Sequence, residues 1–232
     1  MPRDTDAQRH LKKLPGFQRQ AIEKLLADAK PFKPAWPIYL QWSLWLALSV
    51  LTVALALSFI GARFELVGHL MDEPSAAVFL GLVFLGSALS AWAGIASSMP
   101  GEEPRRAAKV VAGLFLLFLF AMPFLFFGRD PLGGVLDRDM AEGWFCFRTV
   151  AIVAIPSWVV LGLLASRNAS FRPGWTGAWL GVSSFLLGTG TIQMHCARWE
   201  SCHMFIDHML PMVLLIALPV WIGSFWFSRW KK

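Results

Sequence analysis

Six apolar runs dominate this chain, at about residues 38–60, 76–98, 108–127, 145–165, 174–194 and 205–227. A helix crossing the hydrocarbon core of a bilayer needs about 20 predominantly apolar residues, because no water there can satisfy backbone N–H and C=O groups. Each run meets that length, and together they use more than half of the 232 residues. The composition agrees, with 56% apolar and 16% charged residues against about 45–50% and about 25% for a soluble domain. A soluble globular enzyme, a disordered tail and a disulfide-rich secreted domain are all excluded. The expected fold is an all-α integral membrane protein, with residues 38–232 forming six transmembrane helices behind an N-terminal arm of residues 1–37. That arm is polar and long, so the first run is expected to stay as a signal anchor and not to be cleaved.

The formal charge of +6 is a matter of topology. With six spans both termini share a side, and on that side lie Arg3, Arg9, Lys12, Lys13, Arg19, Lys24, Lys30 and Lys33 in the arm. Arg105, Arg106, Lys109, Arg167, Arg172, Arg229, Lys231 and Lys232 fall on the same side. The opposite loops hold only Arg63, Arg129, Arg138 and Arg198, and are acidic through residues such as Glu65, Asp72, Asp130 and Asp137. The positive-inside rule puts both termini in the cytoplasm. The basic excess then needs no nucleic acid to explain it. Trp36, Trp144, Trp175, Trp199, Trp226 and Trp230 are expected in the headgroup zone.

Within the spans, Gly86, Ser90 and Gly94 form one small-residue stripe, and Gly177 and Gly181 another. Small residues let helix backbones approach closely. Packing inside the bundle is the plainer reading, a homodimer face the other. Pro123, Pro156, Pro211 and Pro219 interrupt the spans. The spans are almost free of ionisable residues, and Arg148, Asp207 and His208 all lie near the outer edge, which argues against a transporter.

The chemistry-bearing residues collect on the outer side. Cys146 opens the fourth span, and the loop after the fifth reads His195-Cys196-Ala-Arg-Trp-Glu-Ser-Cys202-His203, followed by Asp207 and His208. Three readings stand side by side. Cys146 and Cys196 can form a redox-responsive pair in an oxidising compartment, with Arg148 and Arg198 lowering thiol pKa values. His195, Cys196, Cys202, His203 and His208 can supply soft and borderline donors to zinc or another transition metal. A static disulfide with ordinary interfacial histidines is the third. No CxxC, Walker A, GxSxG or HExxH motif is present. No enzyme activity and no required cofactor are expected. A periplasm-facing membrane thiol oxidoreductase or metal-handling protein is the alternative.

The arm carries GFQRQAIEKLLADAK at residues 16–30, with Phe17, Ala21, Ile22, Leu25, Leu26 and Ala29 at helical spacing. Pro15 suits the start of such a helix, and Pro31 and Pro34 its end. The apolar face fits either the lipid bilayer or a partner's groove, with Phe17, Ile22, Leu25 and Leu26 as the expected contacts.

Several of these segments, in this order, resemble the NrsF family of six-span bacterial inner-membrane anti-sigma factors. IEKLLADAKPFKP is similar to the short helical segment before that family's first span, and Cys146-Phe147 opens the fourth span with Pro156 near its middle. RPGWTGAWLGVSSFLLGTGTIQMHCARWES is similar to the family's Gly/Ala-rich fifth span ending in His-Cys. The resemblance runs from about residue 20 onward. It implies an anti-sigma factor that sequesters an extracytoplasmic-function sigma factor through its cytoplasmic arm. It also implies release when periplasmic Cys146 and Cys196 sense an oxidant or a heavy metal. Cys202, His203 and His208 lie outside the family pattern.

Overall fold

The computed structural model describes residues 36–62, 65–99, 106–126, 140–168, 172–196 and 203–226, with the single positions 15, 16, 20, 101, 170, 198 and 199. The chain divides into two units, Met1–Ala35 and Trp36–Lys232. In the first, Gly16 and Gln20 are helical. Phe17, Ile22, Leu25 and Leu26 lie outside the described residues, so the arm's contact face remains an expectation.

Within the second unit the described segments are all helical: α1 (Ile38–Ile60), α2 (Leu66–Asp72), α3 (Pro74–Ser97), α4 (Arg106–Phe126), α5 (Met140–Ala165) and α6 (Pro173–Gln193). A π-helical turn, Met204–Met209, then leads into α7 (Leu210–Trp226). Prolines mark the starts: Pro37 precedes α1, while Pro74 and Pro173 occupy the first helical positions of α3 and α6. There the missing N–H removes a donor that would have had no partner. Gly61 ends α1 at φ 82°, a left-handed conformation that favours glycine. Ile38–Ile60, Pro74–Ser97 and Gly143–Ala165 are long and apolar enough to cross a membrane, and Val110–Leu125 and Ile216–Phe225 are shorter apolar helices.

The surface is inverted relative to a water-soluble bundle. α1 buries Gln41, Trp45 and Ser49, while Leu40, Leu44, Val50, Leu51, Leu55 and Phe59 face outward. In lipid the apolar residues need no shelter, and polar groups turn inward to find partners. Trp45 donates Nε1–H to Ser157 Oγ at 3.1 Å, and Ser87 donates its hydroxyl to the Ser183 carbonyl at 2.7 Å. At the end of the bundle where α1 begins, Gln41 and Asn168 exchange amide hydrogen bonds at 3.2 and 3.3 Å. Asn168 also donates to Ser98 Oγ at 2.7 Å.

α6 is the axle of the bundle. It is buried nearly all round and packs against α3, α5 and α7. Its glycines permit this. A Cβ on Gly177 would collide with the Pro219 carbonyl oxygen and sit 3.1 Å from Gly223 Cα, and one on Gly188 would lie 2.6 Å from the Val150 carbonyl oxygen. The Gly86 and Gly94 stripe of α3 meets Leu186 and Leu180 of α6, so both small-residue stripes are used inside the bundle. The tryptophans named above differ in exposure. Trp36, Trp144 and Trp175 are exposed, but Trp199 is 8% exposed and sits in the core. Its ring lies 5.1 Å from His69 of α2 and 6.4 Å from Phe79 of α3.

Candidate functional site

Three separate stretches of chain meet at the end of the bundle opposite Gln41 and Asn168. α5 contributes Cys146 near its start, buried and facing inward. α6 ends at Gln193, and a turn closed by Cys196 N–H to the Ile192 carbonyl, at 2.8 Å, delivers Cys196. His203 and the π turn complete the group. Both cysteines are thiols, and one donor atom from each of Cys146, Cys196, His203 and His208 lies within 4.8 Å of every other.

The π turn explains how two histidines five residues apart share one site. Five residues along an α-helix turn about 140° past a full circle, which would send the two rings to different faces. Closure by i→i+5 hydrogen bonds brings residues five apart into register. The His203 and His208 rings accordingly stand 4.9 Å apart, inclined by 72°. Pro211 comes two residues after the turn, and a proline has no N–H for a regular α-helical bond to the residue four earlier. Thr189 of α6 donates its hydroxyl to the His208 carbonyl at 3.2 Å and pins the turn.

Each histidine is oriented through its second nitrogen. His203 Nδ1 is paired with Asp207 Oδ2 at 3.0 Å, leaving Nε2 at 3.2 Å from Cys196 Sγ and 3.8 Å from Cys146 Sγ. His208 donates Nδ1–H to Gln193 Oε1 at 2.8 Å. Its Nε2 is buried and makes no hydrogen bond. Asp207 and Gln193 are positioning residues that sequence reasoning passed over. Asp207 is one helical turn after His203, and Gln193 is a lone amide closing an apolar span.

The electrostatics differ from the sequence expectation. The Cys146 thiol hydrogen-bonded to Cys196 holds the Cys196 pKa well below its ordinary 9.0; burial opposes this, and His203 and His208 add to it. Arg148 and Arg198 are not among the causes. The Arg148 guanidinium stacks over Phe145, 5.8 Å from the ring centroid. For His203, burial works against the charged form, yet the Asp207 carboxylate and the Cys196 sulfur outweigh it and raise the pKa to about 9. A thiolate facing an imidazolium follows. The ultraviolet thiolate band of Cys196 should therefore persist well below pH 9.0. Cys146→Ala should move its loss upward by about 1–3 pH units, and by more than His203→Gln does. A parent chain whose thiolate band disappears at the ordinary value would contradict the assignment.

Of the sequence candidates, Cys146, Cys196, His203 and His208 come together. His195 points elsewhere: it donates Nδ1–H to the Gly61 carbonyl at 2.7 Å and packs on Phe145. Cys202 lies outside the described residues. Cys146 joins the metal-capable group although sequence reasoning had assigned it only to the thiol pair, because nothing in local spacing links it to His203.

A family model described as NrsF, negative regulator of sigma F, matches residues 25–230. The matched stretch includes Cys146, Cys196, Leu25 and Leu26, whereas Phe17 and Ile22 precede it. Neither a curated protein nor a solved structure matches the chain.

Proposed function

The chain belongs to the NrsF family of negative regulators of sigma F, and on that premise we propose a six-span inner-membrane anti-sigma factor with an outer thiol sensor. The cytoplasmic arm holds an extracytoplasmic-function sigma factor away from core RNA polymerase. An oxidant or thiophilic metal at Cys146 and Cys196 changes the bundle and releases it. Regulation of this kind is binding without turnover, so no catalytic group is assigned.

One observation carries the reading. Two cysteines, one from α5 and one from the turn after α6, converge on a single buried cluster at one end of the bundle, with Cys196 held as a thiolate. A low-pKa thiolate is the form that attacks oxidants and ligates metals. The six apolar runs and the basic bias of one side support the topology, and the apolar outer faces of the helices support insertion in lipid.

The energy required is bounded. Shifting a two-state equilibrium from 1:99 to 99:1 takes about 10⁴-fold preference for one state, about 5.5 kcal/mol. A signal that interacts equally with both states shifts nothing. Bond formation or ligation between the starts of α5 and the loop after α6 meets that condition, because it joins elements that pack on the same axle.

A sigma-dependent reporter in the native host tests the proposal. The unsubstituted chain should derepress the reporter under an oxidant or cadmium. Cys146→Ser with Cys196→Ser should keep it repressed under both. Unchanged derepression in the double variant, with normal membrane levels, would remove the sensor role.

A further inference from the structure

We infer that Cys146, Cys196, His203 and His208 form one tetrahedral binding site for a thiophilic divalent d¹⁰ cation of the zinc and cadmium class, a site that rests on the sensor reading above and gives its signal a chemical class.

The donor set selects the ion. Two thiolates and two imidazoles in tetrahedral array suit zinc and its heavier congener, whereas magnesium and calcium require oxygen donors. Four protein donors leave no open position, which is the mark of a structural or sensing site and not of a catalytic one. Two thiolates also balance the charge of a dication in a buried setting.

The dimensions agree. With metal–sulfur bonds of about 2.3 Å and metal–nitrogen bonds of about 2.0–2.1 Å, the edges of the tetrahedron measure about 3.3–3.8 Å. The His203 Nε2 distances to Cys196 and Cys146, 3.2 and 3.8 Å, bracket that range. The longest separation, within 4.8 Å, needs to contract by only about 1 Å.

The surroundings are those of a built site. Metal-bound histidines ordinarily give their second N–H to a carboxylate or carbonyl oxygen, which fixes the tautomer and ring orientation. Gln193 does this for His208, and the Asp207 carboxylate stands 3.0 Å from the second nitrogen of His203 as its ion-pair partner. His208 is 1% exposed, and its Nε2 has no hydrogen-bond partner. A buried polar atom left in this way calls for an explanation, and an ion supplies one. The i→i+5 turn that aligns His203 with His208 is also a rare device, found mostly at functional sites. On ligation the metal replaces the protons held on the Cys146 thiol and on His203, which pass to solvent. No electron is transferred.

The test uses the reduced, full-length chain in mild detergent, with Co²⁺ as the spectroscopic probe and Cd²⁺ in competition. One cobalt per chain should give a thiolate charge-transfer band together with the intense visible bands of tetrahedral coordination, and cadmium should abolish both. His208→Ala should weaken binding by at least about tenfold and Asp207→Asn by about 10–100-fold. His195→Ala should leave it unchanged. An octahedral cobalt spectrum, or none, in the unsubstituted chain would overturn the site without reliance on any variant. Equal losses in His195→Ala and His208→Ala would show the donor set to be wrong. Tetrahedral cobalt without cadmium-dependent release of the sigma factor would keep the site and refute the sensor reading. Oxidant release that needs Cys146 and Cys196, without tetrahedral cobalt, would refute the site alone.

Discussion

A pull-down from the native host in mild detergent should recover a sigma factor with the full chain and none with a chain lacking residues 1–33. The reasoning is one of available surface. The connections between apolar runs are short, and the largest polar segment is the arm. Phe17, Ile22, Leu25 and Leu26 together offer a gross burial of roughly 6–12 kcal/mol to a partner groove, at about 1.5–3 kcal/mol for each large apolar side chain. Association and ordering of the arm consume much of this. The remainder is still enough that its loss removes a complex from a wash. Mass spectrometry of the two eluates reads the outcome. Leu25→Asp with Leu26→Asp should reproduce the truncation without shortening the chain. Equal recovery by the truncated chain would place the contact on the basic loops around residues 99–109 or 166–172 and end the case for the arm.

Gly177→Ala should be among the most damaging single substitutions in the bundle. The new methyl would meet the Pro219 carbonyl oxygen, the Pro219 carbonyl carbon at 3.0 Å and Gly223 Cα at 3.1 Å. All are backbone atoms, so relief requires α6 and α7 to separate. Overpacking of this kind typically costs about 1–3 kcal/mol and occasionally more. The rigid partners put Gly177→Ala at the upper end. Gly162→Ala is the control, since a Cβ there has nothing within 4 Å and should cost nothing. Thermal unfolding in one detergent compares them. A Gly177→Ala chain melting with the parent would mean that α6 and α7 do not pack as described.

How much could be read from residues alone differs by level. Apolar runs at 38–60, 76–98, 108–127 and 174–194 became the helices Ile38–Ile60, Pro74–Ser97, Arg106–Phe126 and Pro173–Gln193, because a long apolar helix is written in composition and length. α2, Leu66–Asp72, was read only as part of an outer loop, since a seven-residue helix offers too few turns for a period. In the site, clustering picked out Cys196, His203 and His208. It also picked His195, which adjoins Cys196 in sequence but turns to Gly61 instead. The approach of Cys146 to His203, the supporting roles of Asp207 and Gln193, and the burial of Trp199 are tertiary facts. Even the Pro211 signal for an interrupted helix does not say that the interruption is a π turn.

The π turn has a consequence far from the histidines. It accommodates one residue more than an α-helical turn, and each residue of an α-helix corresponds to about 100° of rotation and about 1.5 Å of advance. α7 therefore enters the bundle with its rotational phase already set by Met204–Met209. In that phase Pro219 and Gly223 face Gly177, and Gly223 Cα can approach the α6 backbone. If the turn relaxed to α, Ile222 or Ser224 would rotate toward the place Gly223 now holds, where there is no room for a side chain. The cysteine–histidine cluster and the α6–α7 seam are thus geared together: whatever clamps His203 to His208 also decides which edge of the last helix can mesh with the axle.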